Sequence, residues 1–174
     1  MRREDEQRYR EFVVARLDRL RRTAYLLCRD WHTADDLVSI TLSKLYRHWS
    51  RAAAAESLDA YVRGILTHAW LDERRRPWRR EDATAEVPDR PHLDGDGLDG
   101  DGGGLSDRAA LSKLLTALPP RQRAVVVLRF YCDLSVTETA EILGVSEGTV
   151  KSQSARGLEL LRAAANDYTY GVTS

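Results

Sequence analysis

Residues 134–162 read LSVTETAEILGVSEGTVKSQSARGLELLR, a pattern that predicts two helices joined by a tight turn. Val136, Ala140 and Leu143 recur at helical spacing and so share one face of the first helix. Gly144 stands where the chain must reverse, a conformation that strains a residue without a Cβ least. Ser146 is a suitable N-cap for the second helix. The stretch as a whole therefore predicts a second helix that packs against the first.

The second helix begins with polar side chains. A helix-turn-helix presents this end of its recognition helix to base edges and phosphates in the major groove of DNA. The alternative is an ordinary helical hairpin, which has no need of the glycine turn, the cap and the polar start together. The polar residues of this end are Glu147, Thr149, Lys151, Ser152, Gln153 and Arg156.

Charge is balanced overall but unevenly distributed. The chain carries 27 basic and 27 acidic residues, so its net charge argues neither for nor against a nucleic-acid partner. Residues 61–80 contain six arginines, whereas residues 81–107 contain nine carboxylates and one arginine. A basic patch therefore precedes an acidic segment.

Several classes of protein are disfavoured by the composition. Cys28 and Cys132 lie far apart without a CxxC motif or histidines at ligand spacing, so we expect small buried hydrophobes, with no metal site and no cofactor. No nucleophile–base pair supports an enzyme. The charged N-terminus resembles no signal peptide, and no apolar run approaches the ~20 residues of a membrane span. We expect a cytoplasmic protein without membrane insertion.

Three zones follow from the pattern of apolar residues. Residues 1–80 and 107–174 have helical periodicity, whereas residues 81–106 are rich in glycine and acidic residues and hold almost no large apolar side chain. The prediction is an all-α fold of two small helical domains joined by a flexible linker. Such a linker has a relaxed span of ~28 Å, which suits two separated DNA sites; a spacer without a geometric role is the alternative.

Residues 34–49, ADDLVSITLSKLYRHW, carry two apolar stripes. The first stripe predicts a core-facing surface and consists of Val38, Leu42, Leu45 and Trp49. A surface helix needs only one such stripe, so the second indicates a partner groove with a polar rim. Burial of both stripes within a helical bundle is the alternative. The second surface consists of Leu37, Ile40 and Lys44, with Asp35 and Asp36 beside them.

Residues 58–76, LDAYVRGILTHAWLDERRR, place cationic and aromatic side chains on one helix face. Arg63, Thr67, Trp70 and Arg74 follow helical spacing, with His68 beside them. Such a face suits a phosphate track with a stacking platform for unpaired bases. The alternatives are an interface position for Trp70 and a solvated helix end for the arginines.

These segments, together with residues 118–162, resemble the extracytoplasmic-function (ECF) sigma factors of bacterial RNA polymerase, in particular the SigE-like actinobacterial group. The resemblance implies a sigma region 2 domain, a linker and a sigma region 4 domain. It implies that the chain binds core RNA polymerase, recognises the −10 and −35 elements of promoter DNA and promotes melting. An anti-sigma factor is a further candidate partner, because the exposed apolar and basic surfaces suit an inhibitor.

The resemblance also implies site residues. For the −10 element these are Arg63, Thr67, His68, Trp70, Arg74 and Arg75. For the −35 element they are Thr149, Lys151, Ser152, Gln153, Ser154 and Arg156, with Arg121 and Arg123 near backbone phosphate. For polymerase binding they are Asp35, Asp36, Leu37, Ile40 and Lys44. Gln153 stands where the wider family often has Arg, which predicts adenine rather than guanine preference there.

Two other functions are compatible with the residues alone. A stand-alone helix-turn-helix regulator would bind duplex operator DNA without polymerase. An interaction protein would hold its partner without any DNA contact, and would keep its function when Lys151 and Arg156 are replaced.

Overall fold

The structure, a computed structural model, describes residues 1–76 and 105–171. Within these stretches the regular structure is helical, so the all-α prediction is confirmed. The predicted linker, residues 81–106, lies outside the described residues except for its last two positions, where a helix has already begun.

The N-terminal half is built from a long helix followed by three others. They are α1 (Arg3–Cys28), α2 (Trp31–Arg47), α3 (Trp49–Ala53) and α4 (Leu58–Arg75). The Asp30 carboxylate starts α2 by accepting a hydrogen bond from the amide of Thr33 at 2.9 Å. The Ser57 hydroxyl starts α4 by accepting from the amide of Ala60 at 3.2 Å. Both side chains satisfy amides that have no partner within their own helix.

Helix α2 lies between α1 and α4 and therefore buries more than one side. The predicted core stripe is confirmed at Val38, Leu45 and Trp49, which are buried, while Leu42 packs partly buried against the same cluster. The second stripe differs from the expectation at Leu37, which is 1% exposed. With α1 on one flank and α4 on the other, α2 keeps only part of that stripe at the surface.

The C-terminal half contains the predicted pair of helices and the segments that support it. They are α5 (Leu105–Leu115), α6 (Pro120–Val126), a π-helical turn (Val127–Tyr131), α7 (Val136–Leu143) and α8 (Glu147–Gly171). Pro120 occupies the first turn of α6, where its missing N–H leaves no bond unmade. Val150 is fully buried with Val125 and Ala140, which docks α8 on α7 and α6.

The two halves share one apolar core. Leu115, Leu118 and Leu128 of the C-terminal half belong to the same buried cluster as Leu27 and Leu66 of the N-terminal half. Helix α1 contacts α5, α6 and the π-helical turn, and α4 contacts α7. The halves are therefore packed against each other in this structure.

We predict that Gly157→Ala destabilises the fold. Gly157 lies in α8, and a Cβ added there would stand 2.7 Å from Cγ2 of buried Val126. Valine has little rotamer freedom with which to move aside, so overpacking of about 1–3 kcal/mol outweighs the helix propensity gained, about 1 kcal/mol. Urea unfolding followed by circular dichroism measures the difference.

Gly148→Ala is the matched control, because the same helix offers open space there: the nearest atom to an added Cβ, outside the helix backbone, is Oγ of Ser146 at 3.9 Å. It should unfold at equal or higher urea concentration than the unsubstituted chain. Equal stability of the two alanine variants would contradict the packing described for α8 on α6.

Candidate nucleic-acid interface

Local hydrogen bonds build the predicted helix-turn-helix. Ser135 and Glu138 form a capping box at the start of α7, with the Glu138 amide donating to Ser135 Oγ at 3.0 Å and the Ser135 amide donating to Glu138 Oε1 at 3.2 Å. Gly144 ends α7 in the left-handed conformation, with φ of 65°, as predicted. The Thr149 amide then donates to Ser146 Oγ at 3.1 Å, which confirms the predicted cap of α8.

The start of α8 leaves part of its polar surface open to solvent. Lys151, Ser152 and Arg156 are exposed, whereas Gln153 and Ser154 are partly buried. The exposed set combines two cations with a hydroxyl, the groups that contact phosphates and base edges. This end of α8 therefore exposes the kinds of side chain that a recognition helix uses.

Two further hydrogen bonds hold this end of the helix in place. Thr137 of α7 donates its hydroxyl to the Glu147 carboxylate of α8 at 2.7 Å. The hydroxyls of Thr149 and Ser146 lie 2.9 Å apart. Thr149 is thus engaged at the cap, and α8 is fixed relative to α7 before any ligand arrives.

Arg121 and Arg123, both predicted to contact backbone phosphate, occupy different environments. Arg121 is exposed near the start of α6, but Arg123 is 7% exposed. The Arg123 guanidinium donates to the carbonyl oxygens of Leu115 at 2.9 Å and Leu118 at 3.2 Å within its own half. It also donates to the carbonyl of Leu27 in the other half at 2.8 Å. In this arrangement Arg123 does not face solvent and is not presented to DNA.

A buried arginine without a carboxylate partner needs an explanation, which the helix ends provide. Leu27 and Leu115 stand in the last turns of α1 and α5, where carbonyl oxygens lack helical partners and the helix dipole is negative. The guanidinium also lies over the Trp70 ring, 5.7 Å from its centroid. Burial, and next the charge of Arg74, lower the pKa of Arg123 to about 10, so it remains cationic at neutral pH.

The predicted −10 face of α4 is divided in the same way. Arg63, Thr67 and Trp70 are buried, at 7%, 0% and 1% exposure. His68 and Arg75 are exposed beside them. The interface position considered for Trp70 therefore describes this structure, and the indole is not available for stacking on a base here.

Helix α7 packs against α4 beside this face. A Cβ on Gly64 would stand 3.5 Å from Cγ1 of Ile142, so the two helices meet where α4 has no side chain. On the open edge of the face, the Arg74 guanidinium lies 5.6 Å from the centroid of the Trp70 ring. Gly64 and Ile142 were missed by the sequence reasoning, although a glycine inside a helical pattern is a signal of close approach.

The predicted polymerase-binding surface of α2 is mostly open. Asp35, Asp36, Ile40 and Lys44 are exposed, and only Leu37 of the set is buried. Asp35 accepts a hydrogen bond from Arg21 of α1 at 2.7 Å, a contact with no sequence signal. The surface thus combines carboxylates with one exposed apolar side chain and a lysine.

Comparison with known proteins finds one family match in each half of the chain. The family model for sigma-70 region 2 matches residues 12–80, and the model for sigma-70 region 4 matches residues 108–161. The chain is 38% identical to an RNA polymerase sigma-E factor of Streptomyces avermitilis over 154 residues, which cover 88% of this chain and 83% of that protein. The corresponding Streptomyces coelicolor protein is 37% identical over 154 residues, which cover 88% of this chain and 84% of that one.

Two solved structures share the fold. One is the Bartonella quintana sigma factor RpoE in complex with the anti-sigma factor NepR, with a TM-score of 0.71 and 22% identity over 92% of this chain and 98% of that one. The other is CnrH in complex with the cytosolic domain of CnrY, with a TM-score of 0.66 and 18% identity over 92% of this chain and 89% of that one. The two matched regions, their order along the chain and the observed helix-turn-helix all agree with the family resemblance seen in the sequence. The chain therefore belongs to the extracytoplasmic-function group of RNA polymerase sigma factors, the subunits that bind core polymerase and direct it to promoter DNA.

Proposed function

We propose that promoter recognition is divided between two surfaces of this sigma factor, and that α2 carries polymerase binding. The start of α8 reads the −35 element, and the cationic–aromatic face of α4 reads and opens the −10 element. The observation that carries the proposal is the capped start of α8, which holds Lys151, Ser152 and Arg156 at the surface.

At the −35 element, the exposed cations set the register while neighbouring polar groups read bases. Lysine and arginine at a helix start approach phosphates and guanine edges, which supplies both salt-dependent affinity and sequence preference. The partly buried Gln153 has an amide that can donate to and accept from adenine. Arg121, exposed at the start of α6, adds a phosphate contact.

At the −10 element, α4 offers cations around one large ring. His68, Arg74 and Arg75 are exposed and can track the backbone as soon as DNA arrives. Trp70 stacks on an unpaired base, with Arg63 and Thr67 beside it, once the C-terminal half has moved away. Capture of exposed bases then draws the strands apart without catalysis by the protein itself.

Polymerase binding uses the exposed side of α2. Ile40 offers an apolar contact there. Asp36 and Lys44 place charged groups of both signs beside it. An anti-sigma factor is a further partner, supported by the solved Bartonella quintana relative, which is in complex with the anti-sigma factor NepR. The place of action is the cytoplasm, where polymerase and promoters are. Among the described residues, no helix has the length and apolar character that crossing a membrane requires.

We predict that replacing Lys151 and Arg156 together by Ala strongly reduces promoter-specific transcription. Each lost contact removes about 1–3 kcal/mol of discrimination if made to a base, or about one unit of salt slope if made to a phosphate. The assay is transcription in vitro with core polymerase and promoter fragments selected by the unsubstituted chain. Binding of the holoenzyme to the same fragments over a series of salt concentrations gives the slope.

Arg162→Ala is the matched control, since Arg162 is an exposed cation farther along the same helix. It should leave both readouts near those of the unsubstituted chain. Full transcription by the double variant would instead favour an interaction protein that makes no DNA contact. Tight operator binding without polymerase would favour a stand-alone regulator.

We predict that Gln153→Arg changes base preference in the −35 element rather than abolishing binding. Glutamine pairs with N6 and N7 of adenine, whereas arginine pairs with O6 and N7 of guanine, each worth about 1–3 kcal/mol. Selection from a randomised −35 library should enrich guanine at one position for the variant where the unsubstituted chain enriches adenine. An unchanged preference would remove Gln153 from the set of base-reading residues.

We predict that Asp36→Arg weakens binding to core polymerase by about tenfold or more, a loss of ~1.4 kcal/mol. The change reverses one charge of the α2 surface without touching the core, because Asp36 is exposed. Asp18→Arg is the control, an equal reversal at an exposed position of α1. Binding is measured by titrating labelled protein with polymerase, and binding of upstream DNA is measured in parallel. Equal loss of both activities would indicate misfolding rather than a docking defect.

A further inference from the structure

Glu147 is the only carboxylate among residues 147–156, the exposed start of α8 and its first turns. It occupies the first position of the helix and is exposed. DNA phosphates repel a negative charge at this place, so the carboxylate weakens binding to every sequence unless a specific contact offsets the repulsion. The favourable interaction of a first-turn carboxylate with the helix dipole is one account of its presence.

A hydrogen bond from α7 holds the Glu147 carboxylate in place. Thr137, in the first turn of α7, donates its hydroxyl to Oε1 of Glu147 at 2.7 Å, and both side chains are exposed. The helix dipole attracts a carboxylate without requiring a particular rotamer or a partner on another helix. The dipole therefore does not account for a side chain that is fixed by a residue ten positions earlier.

The charge of Glu147 is not cancelled by its own helix. Lys151 follows at the i, i+4 spacing at which glutamate and lysine pair on a helix surface. Among the residues that the structure describes, no ion pair includes either of the two. The carboxylate is turned toward Thr137 instead, so the anion and the cation remain separately available at this surface.

The two helices of a helix-turn-helix meet DNA differently. The first helix crosses the backbone, while the first residues of the second helix approach base edges in the major groove. Glu147 belongs to the part of α8 that approaches base edges. The Thr137 hydroxyl that supports it comes from the helix that crosses the backbone.

A carboxylate distinguishes the four bases because it has no donor. Guanine and thymine present acceptor atoms to the major groove, which repel an ionised carboxylate, whereas cytosine and adenine each present an exocyclic amino group. The adenine amino group lies beside the acceptor N7, which disfavours an anion, while cytosine presents its amino group alone. Cytosine is therefore the base that a fixed carboxylate selects.

We propose that Glu147 reads one cytosine of the −35 element by accepting a hydrogen bond from its exocyclic amino group, and that Thr137 is the positioning residue that holds the carboxylate for this contact. The inference rests on the proposed function for the role of α8. It adds a base preference that Lys151 and Arg156 do not supply, because side chains that only donate select acceptors such as those of guanine.

Reading of cytosine by an anion predicts two opposite effects on binding. The negative charge weakens binding to all DNA, and the cytosine contact restores binding to the matched sequence only. Removal of the carboxylate should therefore lower discrimination while affinity for mismatched DNA stays equal or rises. Removal of a carboxylate that only stabilised the fold would weaken binding to every sequence alike.

The test is selection from a randomised −35 library by the full chain assembled with core polymerase. We expect the parent to enrich cytosine at one position at least ~fivefold, and Glu147→Ala to reduce that enrichment to less than about twofold while other positions keep theirs. Glu147→Gln should shift the same position toward adenine, since an amide accepts from N6 and donates to N7. Cytosine enrichment that Glu147→Ala leaves unchanged would overturn the proposal.

Titration of each holoenzyme with two promoter fragments gives the affinities behind the selection. One fragment carries the selected cytosine and the other carries guanine in its place. The parent should prefer the first at least ~fivefold, and Glu147→Ala should bind the second as tightly as the parent or more tightly. Uniform weakening on both fragments would give Glu147 a structural role and overturn the proposal.

Thr137 is tested by substitutions that keep either its shape or its hydroxyl. Thr137→Val removes the donor and should reduce the cytosine preference at the position that depends on Glu147. Thr137→Ser keeps the donor and should retain the preference. Both variants should keep the preferences at other positions. An unchanged cytosine preference in Thr137→Val would overturn the positioning role.

Glu159→Ala is the matched control, because Glu159 is an exposed carboxylate farther along α8. It should select the same −35 sequence as the parent, and loss of the cytosine in this variant would overturn the proposal by attributing the effect to net charge. A parent that selects no −35 sequence would refute the proposed function of α8 together with this reading. A parent that selects other bases, but no cytosine dependent on Glu147, would refute the reading by Glu147 alone.

Discussion

The arrangement of the whole molecule depends on where the Arg123 guanidinium finds its acceptors. A buried cation is tolerated only when its donors are satisfied, and here the carbonyls at the ends of two helices satisfy them. One of these helices belongs to each half, so the requirement of a single side chain brings α1 and α5 together. Helix α6, which carries Arg123, also packs on the helix-turn-helix through the cluster of Val125, Ala140 and Val150, so the same contact brings α7 close to α4.

Local features of the chain were predictable because their causes are local. The turn at Gly144 and the cap at Ser146 each depend on one residue and its immediate neighbours, and both are confirmed. The exposure of Lys151 and Arg156 also follows from position on an amphipathic helix. The residue roles that the family resemblance implies stay predictions, since burial and hydrogen bonds do not identify a bound base.

Burial across the boundary was not predictable, because it depends on which distant surface covers a face. The spacing of Arg63, Thr67 and Trp70 describes one side of a helix, and that side is the same whether DNA or α7 lies on it. Arg123 shows the difficulty most clearly, since an arginine near a helix start ordinarily indicates a phosphate contact. Leu37 differs from expectation for a related reason: the number of neighbours of α2 is a property of the bundle and not of its own sequence. The π-helical turn, closed by the Cys132 amide on the Val127 carbonyl at 2.9 Å, had no signal in the periodicity either.

Because Arg123 is held by the Leu115 and Leu118 carbonyls of its own half, its orientation does not depend on the contact with α1. Docking of the two halves then orders little additional freedom of the Arg123 side chain. Because the two surfaces belong to one chain, their association is intramolecular and needs no second molecule. In those terms the contact between the halves is renewable: after any separation it can form again from the same chain at any protein concentration.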